Sequence, residues 1–201
     1  MPVYVIGPSH IHSDYTHQIK EELDNKTLFN NCILDPYRGL PIWSNHIVRK
    51  LEENKAKDNK LVWIVSDYKF NNFDYDKIRA TNELFLDSLG YPGNVDSNYL
   101  QPHHIELLGK HSLDVIDYII KQYPEIHLIF WCLYKRTKVN TNSSYPSHLW
   151  YDVIKIRYAN NIIDIDDFTN EEEFSKGILD EGGHPNKDGF ILLNDMIMSV
   201  I

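Results

Sequence analysis

Two segments near opposite ends of the chain contain the residue types that acyl transfer requires. Ser9 follows the short apolar run Val3–Ile6 and a Gly-Pro pair, and His184 comes three to four residues after Asp180 and Glu181. A serine hydroxyl attacks a carbonyl carbon when a base takes its proton, and a carboxylate that orients an imidazole makes histidine such a base. These residue types predict Ser9 as a nucleophile, His184 as its base, and Asp180 or Glu181 as the carboxylate that orients His184.

Each segment has an ordinary structural explanation when it is taken alone. A serine where a strand passes into a helix often caps that helix, and a histidine far along a chain is usually a surface residue. A turn of two carboxylates, two glycines, a histidine, a proline and an asparagine ahead of a helix is much less common. The presence of both segments in one chain favours the catalytic interpretation.

Five apolar runs, each followed by turn residues and a helical pattern, predict the strands that position these groups. A strand followed by a helix, repeated along the chain, is typical of a parallel sheet with crossover helices. We therefore predict a single α/β domain, residues 1–201, built as a three-layer α/β/α sandwich with a five-stranded parallel sheet in flavodoxin-like order. The predicted strands are Val3–Ile6, Cys32–Leu34, Leu61–Val65, Ile126–Cys132 and Ile162–Ile165.

The helices are predicted from apolar residues at helical spacing and from the residues that end or cap them. Pro124 marks the end of the clearest helix, and Asn186 or Asp188 is expected to cap the last one. The predicted helices are Tyr15–Leu23, Ile42–Glu53, Ile105–Gln122, Ser147–Tyr158 and Asp188–Ile201.

Two long loops are predicted over the same edge of the sheet as Ser9. They run from Tyr68 to Pro102 and from Lys135 to Pro146, and each follows a predicted strand. Open α/β sheets bind ligands at the carboxyl ends of their strands. We therefore expect a binding site where these loops, Ser9 and the turn at His184 meet.

The two end segments resemble those of the SGNH (GDSL-like) hydrolases and acyltransferases. Gly7-Pro8-Ser9 resembles the Gly-Asp-Ser of the first block of that family, and Glu181 to His184 resembles its last block, Asp-x-x-His. The resemblance implies an esterase or O-acyltransferase that uses a serine triad and no cofactor. It runs in order along the whole chain, and the end blocks are its specific part.

The resemblance also implies an oxyanion hole, which the family builds from the serine amide, a glycine after the second strand and an asparagine after the third. Here these donors correspond to the amide of Ser9, Gly39 and Asn71. The chain departs from the family pattern in three places. Pro8 replaces the aspartate beside the nucleophile, Glu181 stands where Asp is usual, and no Gly-x-Asn-Asp follows Leu61–Val65. These departures keep open a second interpretation, a binding module of the same fold that has lost catalysis.

Ten histidines raise the alternative of a metal-dependent hydrolase. His10 and His12 have a spacing that lets a strand present two ligands, but the Gly-Pro pair should end the strand before them. We therefore predict no metal. We expect His10 to pack beside the nucleophile or to contact the substrate together with His103, His104 and Tyr68.

Aromatic residues in the predicted loops favour a carbohydrate as the alcohol part of the ester. Sugars have apolar C–H faces edged by hydroxyls, which flat rings and amide side chains suit. The alternative is that these rings only pin the loops to the domain. The rings are Tyr68, Phe70, Phe73, Tyr75, Tyr145, Trp150 and Tyr151, whereas Trp63 and Trp131 are assigned to the core.

Composition excludes several classes of partner. The net charge of −9 and the scattered Lys and Arg argue against binding to nucleic acid or to an anionic membrane. No apolar run approaches the length of a membrane span or of a signal peptide, so we expect a cytoplasmic protein. Cys32 and Cys132 lie in apolar segments and are expected to be buried thiols.

Overall fold

The computed structural model contains a parallel four-stranded sheet with the strand order β2-β1-β3-β4. The structure describes residues 1–11, 28–37, 42, 45–65, 113–134, 150–178 and 183–201, with the backbone alone for Asn45 and Trp150. The strands are β1 (Val3–Gly7), β2 (Cys32–Pro36), β3 (Lys60–Ile64) and β4 (His127–Ile129). The order matches the flavodoxin-like arrangement predicted for the first four strands.

Strand β1 lies in the interior of the sheet and is buried on both faces. It pairs with β2 on one side, Val3 opposite Cys32, and with β3 on the other, Val3 opposite Lys60. All five of its residues are buried, because parallel strands covered on both faces consist of apolar side chains throughout. The segment that leads to Ser9 is therefore held by neighbouring strands and by the core.

The described residues contain four strands rather than the predicted five. The run Ile162–Ile165 forms only an isolated parallel bridge, in which Ile162 lies opposite Leu128. The chain then enters a 3₁₀ turn, Ile165–Asp167, in which the Asp166 amide donates to the side chain of Asp164. A capping carboxylate so soon after the bridge ends the extended segment before a second pair can form.

The prediction for the fourth strand was wrong at its carboxyl end. Strand β4 stops at Ile129, and Trp131–Tyr134 form a short helix, α3. All four residues of α3 are buried. A buried strand and a buried helical turn have the same apolar composition, so the run Ile126–Cys132 did not reveal the change.

Three helices lie side by side along the sheet. They are α1 (Asn45–Lys55), α2 (helical residues 113–122) and α4 (Trp150–Arg157). The Tyr123 hydroxyl, just after α2, donates to the Val48 carbonyl of α1 at 3.4 Å, and Arg157 of α4 forms an ion pair with Asp117 of α2. These contacts agree with right-handed crossovers, because successive connections that run in the same direction across a sheet place their helices on the same face.

The last two helices are α5 (Glu171–Lys176) and α6 (Lys187–Met198). Asn170 caps α5, and Asn186 caps α6 by accepting hydrogen bonds from the amides of Asp188 and Gly189. This confirms the prediction of an Asn186 cap. The helices meet at two glycines, Gly177 and Gly189, where a Cβ atom on Gly189 would lie 2.2 Å from the Gly177 carbonyl oxygen.

Other sequence predictions can be placed only in part. Trp63 and Trp131 are fully buried, as predicted, and both cysteines are thiols, with Cys132 buried and Cys32 partly so. The predicted helix Tyr15–Leu23 and both long loops lie outside the described residues. None of the helices among the described residues has both the length and the apolar character needed to cross a lipid bilayer.

Candidate active site

Ser9 lies where β1 leaves the carboxyl edge of the sheet. The strand ends at Gly7, and Ser9–Ile11 form a single 3₁₀ turn that is closed by a hydrogen bond from the Ile11 amide to the Pro8 carbonyl. His10 and Ile11 point into the core, whereas Ser9 is only partly buried. The turn therefore anchors itself through its second and third residues and leaves the serine hydroxyl accessible.

His184 lies on a turn that is tied to the end of α5 and the start of α6. Ile178 and Pro185 form an antiparallel bridge, and the Asn186 amide donates to the Gly177 carbonyl at 2.9 Å. Gly183 has a φ of 80°, a left-handed conformation that glycine adopts without strain. The glycine before His184 thus lets the chain reverse so that the imidazole faces the sheet edge.

The structure brings the serine and the histidine together. The Ser9 Oγ lies 3.1 Å from the His184 Nε2, although the two residues are 175 positions apart in sequence. This distance allows the hydroxyl to donate its proton to Nε2 when Nδ1 carries the ring hydrogen. Both side chains are partly exposed. The pair can therefore act as a nucleophile and its general base on a ligand at this edge.

His10 lies directly beside the pair. Its ring is stacked on the ring of His184, with centroids 4.9 Å apart and an angle of 17° between the planes. The residue is 7 % exposed, and the Cys132 Sγ lies 3.6 Å from each of its ring nitrogens. The sequence placed His10 beside the nucleophile or on the substrate, and in the structure its ring contacts His184 and Cys132 of α3.

Trp131 holds the turn that carries His184. Its indole Nε1 donates a buried hydrogen bond of 3.0 Å to the Gly183 carbonyl oxygen. The indole itself packs on the Phe174 ring of α5, with centroids 4.5 Å apart. The sequence identified Trp131 only as a core residue, because nothing in its local pattern indicates a hydrogen bond to a backbone group 52 positions away.

Replacing Trp131 with phenylalanine is expected to lower the free energy of unfolding by about 1–3 kcal/mol more than the same change at Trp63. Both indoles are fully buried, but among the described residues the Trp63 Nε1 has no hydrogen-bond partner. Trp131→Phe leaves the buried Gly183 carbonyl without its donor, whereas Trp63→Phe removes an N–H that costs stability. Urea unfolding of both variants measures the difference, and equal losses would contradict a structural role for the Trp131 hydrogen bond.

Tyr151 is a buried structural residue, which excludes the binding-site interpretation of this ring and leaves the alternative, that it only anchors its segment to the domain. It is fully buried in α4, its hydroxyl donates to Asp164 at 3.0 Å, and it accepts from the Ile165 amide at 2.9 Å. Burial, and then the nearby Asp164, raise the pKa of this phenol. Tyr151 therefore fixes the segment after the Ile162 bridge and is not available to a ligand.

The remaining predicted site residues lie outside the described ranges. They are Asp180, Glu181, Gly39, Asn71, Tyr68, His103 and His104. Within the described ranges, no three His, Cys, Asp or Glu side chains are grouped in a way that could hold a metal ion. Within the described residues, the candidate site therefore consists of Ser9, His10 and His184, which are held in place by contacts with α3 and α5.

Comparison with known proteins gives one structural similarity. No protein-family model matches the sequence, and comparison with curated proteins found no match. The chain is similar in structure to a crystal structure of an acetyl xylan esterase, AlAXEase, with a TM-score of 0.49 and 17 % sequence identity over 99 % of this chain and 100 % of that one. A similarity of this size leaves the function to be inferred from the residues themselves.

Proposed function

We propose that this protein is a serine-dependent ester hydrolase or O-acyltransferase of the SGNH (GDSL-like) type. The observation that supports this is the 3.1 Å approach of the Ser9 Oγ to the His184 Nε2 at the carboxyl edge of a parallel sheet. The strand order β2-β1-β3-β4, with Ile162 bridged to β4, supports a three-layer sandwich of flavodoxin-like order around this site.

The proposed reaction has two steps that use the same pair of side chains. In the first, His184 Nε2 takes the Ser9 proton as Oγ bonds to the acyl carbon, and the same proton then passes to the alcohol oxygen as the bond from the acyl carbon to that oxygen breaks. In the second, water or a second alcohol gives its proton to His184 and attacks the acyl carbon, and His184 returns this proton to the Ser9 Oγ as the bond from Oγ to the acyl carbon breaks. Water makes the protein an esterase, and a sugar hydroxyl makes it an O-acyltransferase.

The other groups in the proposed mechanism have roles that the sequence suggests. Asp180 or Glu181 would orient the imidazole and stabilise its protonated form, and the amides of Ser9 and Gly39 with the Asn71 side chain would donate to the oxyanion. Each such donor contributes about 3–4 kcal/mol to transition-state stabilisation where it has been removed in other enzymes.

For the substrate we propose a small acyl ester, acetyl above all, of a carbohydrate. The support is the sequence of the loops after the predicted strands, where Tyr68, His103 and His104 accompany other rings and amide side chains. With Tyr151 assigned to the core, the remaining loop rings are the ones to which this proposal applies.

Labelling with a fluorophosphonate tests the proposed nucleophile. The Ser9 Oγ should displace fluoride from phosphorus, and peptide mass spectrometry should locate the adduct at Ser9. Ser175→Ala is the matched control, because Ser175 is exposed on α5 and its hydroxyl donates a hydrogen bond to the Glu172 carbonyl. Wild-type protein and the control should label equally and Ser9→Ala should not label.

The same experiment separates the proposal from its alternative. The alternative is a binding module that has lost catalysis, which Pro8 and the absence of a Gly-x-Asn-Asp motif after Leu61–Val65 favour. Such a protein would fold but would not be labelled. For a protein that labels, incubation with an acetyl ester in the presence of an acceptor sugar distinguishes free acetate from an acetylated sugar and thus the esterase from the transferase.

A further inference from the structure

We propose that His10 is a positioning residue that fixes the plane of the His184 imidazole. The inference rests on the proposed function and extends it to a residue outside the triad. Its basis is the stack of the two rings, whose centroids are 4.9 Å apart and whose planes differ by 17°. His10 follows the proposed nucleophile directly, so one turn of chain supplies both the hydroxyl and the surface on which its base rests.

An imidazole that accepts a proton from a hydroxyl needs a fixed ring plane. Rotation about the bond from Cβ to the ring is broad and has no sharp staggered minima. The flat His10 ring, stacked on the His184 imidazole, sterically excludes rotations of that imidazole away from the plane parallel to it. The His10 ring therefore keeps the His184 Nε2 directed at the Ser9 Oγ.

His10 is itself held, which is what a positioning role requires. It is 7 % exposed, and the Cys132 Sγ contacts both of its ring nitrogens at 3.6 Å. Cys132 belongs to α3, and its neighbour Trp131 binds the carbonyl of Gly183 just before His184. One short buried helix thus supports both rings of the stack, through the thiol on one side and through the indole on the other.

Burial separates this role from substrate binding. The stack and the Cys132 contact hold His10 within the protein, so its removal should slow the chemical step and leave the KM nearly unchanged. A flat aromatic ring without nitrogen atoms, although larger by one ring atom, should preserve the stack. His10→Phe is therefore the conservative variant, and His10→Ala removes the platform.

The experiment measures the rate of fluorophosphonate labelling of Ser9 and the kcat and KM for p-nitrophenyl acetate. In His10→Ala we expect labelling and kcat to fall on the order of 10- to 100-fold with little change in KM, since small displacements of a catalytic group cost this much. His10→Phe should stay within about fivefold of the wild-type rates. His127→Phe is the matched control. His127 is also partly buried, but it is the first residue of β4 and so lies at the amino-terminal edge of the sheet, opposite the carboxyl edge where Ser9 lies.

Three outcomes would overturn the inference while leaving the proposed function in place. One is a folded His10→Ala protein that labels as fast as wild type, and another is a folded His10→Phe protein as slow as His10→Ala. The third is a raised KM with an unchanged kcat, which would indicate contact with substrate. If His10→Ala does not fold, His10→Leu takes its place, since leucine fills the volume without a flat face. Wild-type protein that fails to label would overturn the proposed function and this inference together, whereas labelling that is insensitive to His10 overturns this inference alone.

Discussion

Replacing Ser9 with alanine should lower the kcat for p-nitrophenyl acetate by at least about 10³-fold, because the variant has no oxygen to form the acyl-enzyme. Since Ser9 is partly exposed at the end of β1, the lost hydroxyl leaves no cavity in the core. The unfolding curve of the variant should therefore match that of the wild type. Initial rates of nitrophenol release measure the effect.

The same assay with His184→Ala and with the double variant tests whether the two residues act as a unit. Every proton that His184 takes or gives belongs to the reaction of Ser9, so the single and double variants should lose similar amounts of activity rather than multiply their losses. Ser175→Ala should keep wild-type rates. Losses that multiply in the double variant, or substantial turnover by Ser9→Ala, would contradict the 3.1 Å pair as the reacting groups.

Gly189→Ala should lower the free energy of unfolding by about 2–3 kcal/mol, a large effect for one methyl group. The new Cβ would lie 2.2 Å from the Gly177 carbonyl oxygen and 2.9 Å from the Pro185 Cβ, so backbone atoms have to move. The turn of His184 is attached at the same point, through the Asn186 amide and the Gly177 carbonyl. Esterase activity should therefore fall together with stability.

Urea unfolding and initial rates on the same protein preparation measure both effects. Lys187→Ala is the control, since Lys187 is exposed in the first turn of the same helix and alanine is an equally good helix former. A Gly189→Ala protein as stable as this control would show that α5 and α6 can separate without cost. Lost stability with full activity would show that the helix contact does not set the position of His184.

Much of the sheet could be predicted from apolar runs because its strands are buried on both faces. Strand β3 covers Lys60–Ile64 where Leu61–Val65 was predicted, and β1 extends the prediction by one residue. Strand β2 runs two residues past the predicted end, to Pro36, and among the described residues it pairs with β1 on one side. An edge strand tolerates proline, which has no N–H to donate to a neighbour. The prediction stopped at Leu34 because Asp35 and Pro36 are not part of the apolar run.

The helices that the sequence missed are short. The helix α5 covers Glu171–Lys176, and its signals are the Asn170 cap and three glutamates in the first turn rather than an apolar stripe. In α3 the residues are apolar on every side, so no periodicity marks it as a helix. Helices of one or two turns depend on caps and tertiary burial, which a search for repeated apolar spacing does not detect.

The candidate site was accessible to sequence analysis only where residue type and order carry chemical meaning. A serine after a strand and a histidine beside carboxylates could be paired by the roles they would play. The stack of His10 on His184 and the bond from Trp131 to Gly183 depend on how distant segments pack. Such contacts have no local pattern, so the residues that hold the pair in place had to come from the structure.

The hydrogen bond between Ser9 and His184 joins one of the first residues of the chain to be synthesised with one of the last. At about 5–20 residues per second, a ribosome needs roughly 9 to 35 s to add the 175 positions that separate the two. Until then the nascent chain contains Ser9 without its partner His184. Under the proposed mechanism, incomplete chains therefore lack hydrolytic activity because the base is added long after the nucleophile.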